Sequence, residues 1–219
     1  MKEFSKGNNE ESFDNYGEEK EKYLKSIMTA VGSLQSYFED LEKVVLFLKV
    51  DKSKIPNLYK DKLEADNYYK YHYDNFIVRV VTSIDICGKI GNLVFNLQIQ
   101  ERYANWYSFT VHPTVKDTLP AQSLSKFSDF LDEFKTQRHS KVHQGQNPKN
   151  RFDKIIFWDT INKVIGKPKD THDNILEEYT KEQIQEAISE IETVISEAAK
   201  YTFEFLDSME SRLDEIILN

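Results

Sequence analysis

The chain has 219 residues, a formal net charge of -8, 30% charged residues, seven Gly and five Pro. So few turn formers argue for helices over a turn-rich β architecture, in one domain long enough to bury a good core. A single cysteine excludes an internal disulfide framework and points to a reducing, cytoplasmic setting, and the acidic balance excludes nucleic-acid binding over the whole surface.

Residues 1–17 are polar and read as a flexible tail, ahead of a helical domain over 18–219. Leu24, Ile27, Val31, Leu34, Phe38, Leu41, Val45 and Leu48 recur at helical spacing and predict a long first helix over 18–49. A polar connection with Pro56 follows over 50–65. The second helix is expected over 66–98. It opens with Tyr68, Tyr69, Tyr71 and Tyr73, a cluster able to stack bases but better suited to helix packing. From Phe76 to Leu97 it is apolar nearly all round, which predicts a central position. Arg79, Asp85, Asn92 and Asn96 interrupt it. Asp85, Asn92 and Asn96 fall close to one stripe. On a buried helix they need partners, from a neighbouring helix or from a site. Gly88 and Gly91 leave room for a close approach. No apolar run nears the eighteen residues of a membrane span, and no leader is expected.

Residues 99–120, with Trp106, Tyr107, Phe109, Pro113 and Pro120, read as an irregular aromatic segment in which His112 is structural or exposed. A third helix starts near Gln122 or Ser123. Leu124, Phe127, Leu131 and Phe134 form its inner face, Arg138 continues that face, and Gly145 is a reasonable stop.

The end of this helix, Gln137 to Gly145, is the stretch that looks like chemistry. Arg138 is a fixed cation with a planar fork that matches phosphate oxygens. His143, five residues on, moves a proton near neutral pH. A phosphodiester undergoing transesterification needs both. About one chain in ten of this composition holds such a pair by chance, so its surroundings matter. Residues 135–154 carry six cations, Lys135, Arg138, Lys141, Lys149, Arg151 and Lys154, against Asp153, a net of +5 on an acidic body. That fits a local polyanion site. In a regular helix His143 lies about 140° round from Arg138. Either the helix loosens there or another chain completes the site.

Beyond a loop over 144–150, Ile155, Ile156, Trp158, Ile161, Val164 and Ile165 predict a helix over 151–165, with a short strand around Phe157 and Trp158 as the alternative. Gly166 and Pro168 break it. Thr180 to Gln183 has the form of a capping box. It would start a last long helix, with Ile184, Ile188, Ile191, Ile195, Ala198, Phe205, Met209 and Leu213 on its apolar face.

This helix order, with Arg138-His139-Ser140-Lys141-Val142-His143 ending the third helix, resembles the HEPN (higher eukaryotes and prokaryotes nucleotide-binding) superfamily. Its signature is an Arg, a polar residue directly after it, and a His beyond four to six intervening residues. The resemblance implies an all-α up-and-down bundle with long first, second and last helices. It also implies a homodimer whose two motifs meet in one composite, metal-independent endoribonuclease site. Arg138 and His143 would be catalytic. His139, Lys141, Lys149 and Arg151 would hold phosphate or RNA, with Asp85 and Asn92 in support. No cofactor and no metal site are expected, on the reading that the chain offers no H-x-x-x-H, no Cys pair and no D-x-D. Such proteins occur in toxin-antitoxin and phage-defence systems. HEPN toxins paired with nucleotidyltransferase antitoxins often carry Tyr two places after the His. Gly145 stands there instead, so no such antitoxin is implied. A non-catalytic HEPN nucleotide- or RNA-binding module and a structural helical interaction protein stay open as other readings.

Overall fold

A computed structural model describes residues 10–51, 54, 62–144, 150–165 and 169–218. Among them are eight α-helices and no strand: α1 (Glu10–Leu48), α2 (Lys62–Val94), α3 (Trp106–Thr110), α4 (Leu119–Phe130), α5 (Asp132–Gln144), α6 (Phe152–Ile165), α7 (Lys169–Asp207) and α8 (Glu210–Leu218). The fold is all-α, with long first, second and seventh helices. None of the described helices is long and apolar enough to cross a membrane. Pro56, Gly145, Lys149, Gly166 and Pro168 lie outside the described residues.

The core is built around α2, which touches α1, α3, α4, α5, α6 and α7. Its apolar residues face several neighbours at once, which is why they occur nearly all round the helix. Phe76, Ile77, Val80, Ile84, Cys87, Ile90 and Val94 are all fully buried. They join Leu41 and Leu48 of α1, Leu124 and Phe127 of α4, and Ile191, Ala198 and Phe205 of α7 in one apolar cluster. Gly88 and Gly91 let α3 sit directly on α2. A Cβ on Gly88 would lie 2.3 Å from the Asn105 backbone carbon, and one on Gly91 would lie 2.5 Å from the Phe109 ring.

α2 ends at Val94, not at Gln98. Asn96 adopts a left-handed conformation with φ 49°. Its N–H reaches Leu93 O at 3.0 Å, and the Leu97 N–H reaches Asn92 O at 3.1 Å. This pair of bonds satisfies the last carbonyls of the helix. The Asn92 side chain then clasps the backbone of Ile99 in both directions, donating at 3.0 Å and accepting at 3.1 Å.

Other expected boundaries also move. α1 begins at Glu10, earlier than the expected start at residue 18. The segment over 99–120 is less irregular than its prolines suggest. It holds a 3-10 turn (Glu101–Tyr103) and α3, which is capped reciprocally by Asn105 and Ser108. The expected third helix starts at Leu119 and is divided at Leu131 into α4 and α5. The capping box at Thr180 is overturned. α7 already runs from Lys169, and the Thr180 hydroxyl donates back to Leu176 O at 2.7 Å, as Thr does inside helices. The same helix stops at Asp207, and α8 completes the C-terminal stretch. Around Phe157 and Trp158 the chain is helical, which removes the strand alternative.

Candidate functional site

α5 is helical through Gln144, so the chain does not loosen at His143. Its apolar anchor is Phe134, edge-on to Phe76 of α2. One turn further, Arg138 reaches back to α2, with Nη1 3.1 Å from Asp85 Oδ2. The pair is half-buried, with side-chain exposures of 34% and 23%. The stripe residue Asp85 thus meets the motif arginine, while Asn92 holds Ile99 and Asn96 bonds Gln98. Of the two supporting candidates on α2, only Asp85 is placed at Arg138.

His139 and His143 leave the helix on another face. Both are exposed, and their rings lie 4.6 Å apart between centroids with an interplanar angle of 45°. Their spacing is His-x-x-x-His, so the expectation that the chain lacks such a spacing is wrong. One chain therefore presents Arg138 turned towards α2 and the two imidazoles turned to solvent.

The other cations around the motif are tied inward. Lys141 Nζ lies 2.6 Å from Asp74 Oδ2. Asp74 is buried on α2, and its other oxygen accepts from Asn150 Nδ2 at 2.8 Å. Asn150 Oδ1 in turn accepts from the Phe152 N–H at 2.9 Å, at the start of α6. One carboxylate thus joins the end of α5 to the start of α6. Arg151 pairs with Glu186 at 3.2 Å and with Glu190 of α7, beside the Tyr73 ring. The Tyr73 hydroxyl donates to Glu190, and burial, reinforced by that carboxylate, pushes the phenol well above its ordinary range. Lys135 pairs with Asp132 at 3.2 Å, donates to Ser128 Oγ at 2.7 Å and covers the Trp106 ring. Asp153 binds Lys70. The +5 of 135–154 is therefore largely compensated by Asp132 nearby on α5 and by acids of α2 and α7 that are distant in sequence. Lys149 lies outside the described residues, and Lys154 is exposed.

Asp74 is the residue that sequence reasoning misses. In the run Tyr73-Asp74-Asn75 it looks like any solvated acid, and its partners lie 67 and 76 positions downstream. The tyrosines around it divide between core and surface, with Tyr73 buried and Tyr71 exposed. Tyr69 is buried and donates to Val50 O at 2.8 Å, while Tyr68 and Tyr71 flank His72. The His112 ring nitrogen accepts from the Thr114 N–H at 3.3 Å, well away from α5 in sequence.

A family model described as Cthe2314-like HEPN matches residues 2–207. No curated protein and no solved structure matches the chain.

Proposed function

Because the chain belongs to the Cthe2314-like HEPN family, we propose that it is an endoribonuclease whose site is completed by a second copy of itself. The observation that carries this reading is the division of labour on α5. Arg138 is held by Asp85 towards α2, while His143 stands exposed on a different face beside His139. Neither face alone combines an oxyanion clamp with a proton carrier. Two copies related by a two-fold axis would supply each face with the other, since such an interface is self-complementary.

In this mechanism an RNA 2′-hydroxyl attacks the adjacent phosphorus. His143 of one copy takes the hydroxyl proton, and His143 of the second copy protonates the departing 5′ oxygen. Arg138 stabilises the charged phosphorane. Its pair with Asp85 engages one guanidinium nitrogen, and a guanidinium has five N–H donors, so orientation by Asp85 is compatible with holding phosphate. His139 positions phosphate or the neighbouring imidazole. The products are a 2′,3′-cyclic phosphate and a 5′-hydroxyl, and these steps are carried by the chain's own residues. Toxin or defence roles fit such an activity.

The test is cleavage of a labelled RNA in EDTA beside the same sequence with 2′-deoxyribose throughout. The reading expects the RNA to be cut and the deoxy strand to survive. RNA that is bound but not cut would favour the non-catalytic binding module instead.

A further inference from the structure

We infer that His139 and His143 form a binding site for a first-row transition-metal ion of the borderline type, such as Ni2+, Cu2+ or Zn2+. α5 is regular through Gln144, so residues four apart sit one above the other on one face. Two histidines in that relation are a recurring metal-chelating pair, as in the i, i+4 histidines of zinc peptidases. The rings already stand close to the required separation. A metal–nitrogen bond of about 2.0–2.1 Å places the metal roughly 3.2 Å from each ring centre, so cis ligation needs centroids about 4.5–5.2 Å apart. The observed 4.6 Å falls inside that range.

Charge and access favour the same outcome. Arg138 precedes the pair and Lys141 lies between its two histidines in sequence, and both would repel a dication if they shared its face. Both are drawn to carboxylates of α2, Lys141 to Asp74 and Arg138 to Asp85. Both imidazoles are exposed, so an ion reaches them without opening the fold. Nitrogen ligands select the later first-row divalent ions, and hard Mg2+ prefers oxygen. Among the described residues no group of three or more His, Cys, Asp or Glu could hold a metal. The pair is thus a two-ligand site with water in its other positions, built for reversible occupancy.

The consequence rests on the ribonuclease reading, although the binding does not. A metal on the pair occupies the ring lone pair that His143 needs as a base. The ion therefore acts as an inhibitor that competes with proton transfer.

The experiment is calorimetric titration of NiCl2 into the full chain in a non-chelating buffer. The wild type is expected to bind. His139→Ala and His143→Ala should each weaken binding at least about tenfold through loss of the chelate, and His112→Ala should bind as the wild type does. Undiminished binding by His139→Ala, or loss of binding in His112→Ala, would overturn the site. In a cleavage assay, saturating Ni2+ should suppress cutting and EDTA should restore it. Cutting unaffected by saturating Ni2+ would overturn the inhibitory role. A chain that binds Ni2+ through both histidines yet cuts no RNA would uphold the metal site and count against the ribonuclease reading.

Discussion

Arg138 and Asp74 show how much a single contact decides. Arg138 sits on α5, but Asp85 sets its direction. Asp85→Asn removes the charge that orients the guanidinium and keeps the side chain's size. If Arg138 clamps the phosphorane, this change should lower kcat for RNA cleavage by about tenfold and leave KM less affected, because misplacement acts on the transition state. A loss confined to KM would place Arg138 in ground-state binding. Asp74 carries a structural role. Its buried carboxylate meets Lys141 and Asn150, so Asp74→Ala strands both and should cost about 3 kcal/mol in urea unfolding. His72 gives a pH prediction. Burial lowers its pKa, among Phe47, Tyr68 and Tyr71. The unfolded chain then binds the proton more readily than the folded one. Stability is full above the ordinary histidine value of about 6.5 and falls as pH drops from there towards the folded value. His72→Phe should flatten that part of the stability profile; an unchanged slope between pH 7 and 5 would assign it to other groups. The Arg138–Asp85 relation was half legible in the sequence, because the polar stripe on an apolar helix demanded a partner. The Asp74 network was not, because nothing local distinguishes a buried acid from a solvated one.

At the scale of elements, α2 was the most legible part of the chain. A helix apolar on every side has to be central, and its two glycines announced a close neighbour. That neighbour also makes a paired prediction. Gly88→Ala gains helix propensity, worth up to about 1 kcal/mol, but drives a Cβ into the Asn105 backbone. Backbone cannot move aside as a side-chain tip can, so the net change should be a loss of about 2 kcal/mol or more. Gly32 in α1 has nothing within 4 Å of an added Cβ, so Gly32→Ala should raise stability by up to about 1 kcal/mol. Thermal or urea unfolding of the two variants should move in opposite directions, and movement in the same direction would contradict the packing of α3 on α2. Less legible were the interruption at Leu131 and the true start of α7. The first breaks the helix at one apolar residue with no Gly or Pro to mark it. The second was hidden by a capping-box pattern that falls, in the fold, within a helix interior.

For the whole molecule, the arrangement of charge matters more than its sum. Lys135, Arg138, Lys141 and Arg151 are each matched by an acid, so the basic run in the sequence does not project its full field. RNA affinity should therefore fall with salt more gently than six phosphate contacts would require. Anisotropy titrations at several salt concentrations measure this, and a slope of about -4, that of six contacts to a single strand, would mean that the ion pairs open on binding. The single cysteine plays no part in this chemistry. Cys87 is fully buried, and burial pushes its thiol up to about 12. The composite site requires two copies, so light scattering should report about twice 25.8 kDa at micromolar concentration. A monomer that still cuts RNA would contradict the composite site. The central claim is that His143 moves the proton in RNA cleavage. It is tested most directly by timing the cutting of an end-labelled RNA in EDTA by wild type and His143→Ala, and by identifying the new ends. The expected products carry 2′,3′-cyclic phosphate and 5′-hydroxyl ends, and the rate for His143→Ala should be lower by on the order of 10²-fold or more. Cutting by His143→Ala at the wild-type rate, or products ending in a 3′-hydroxyl, would contradict it.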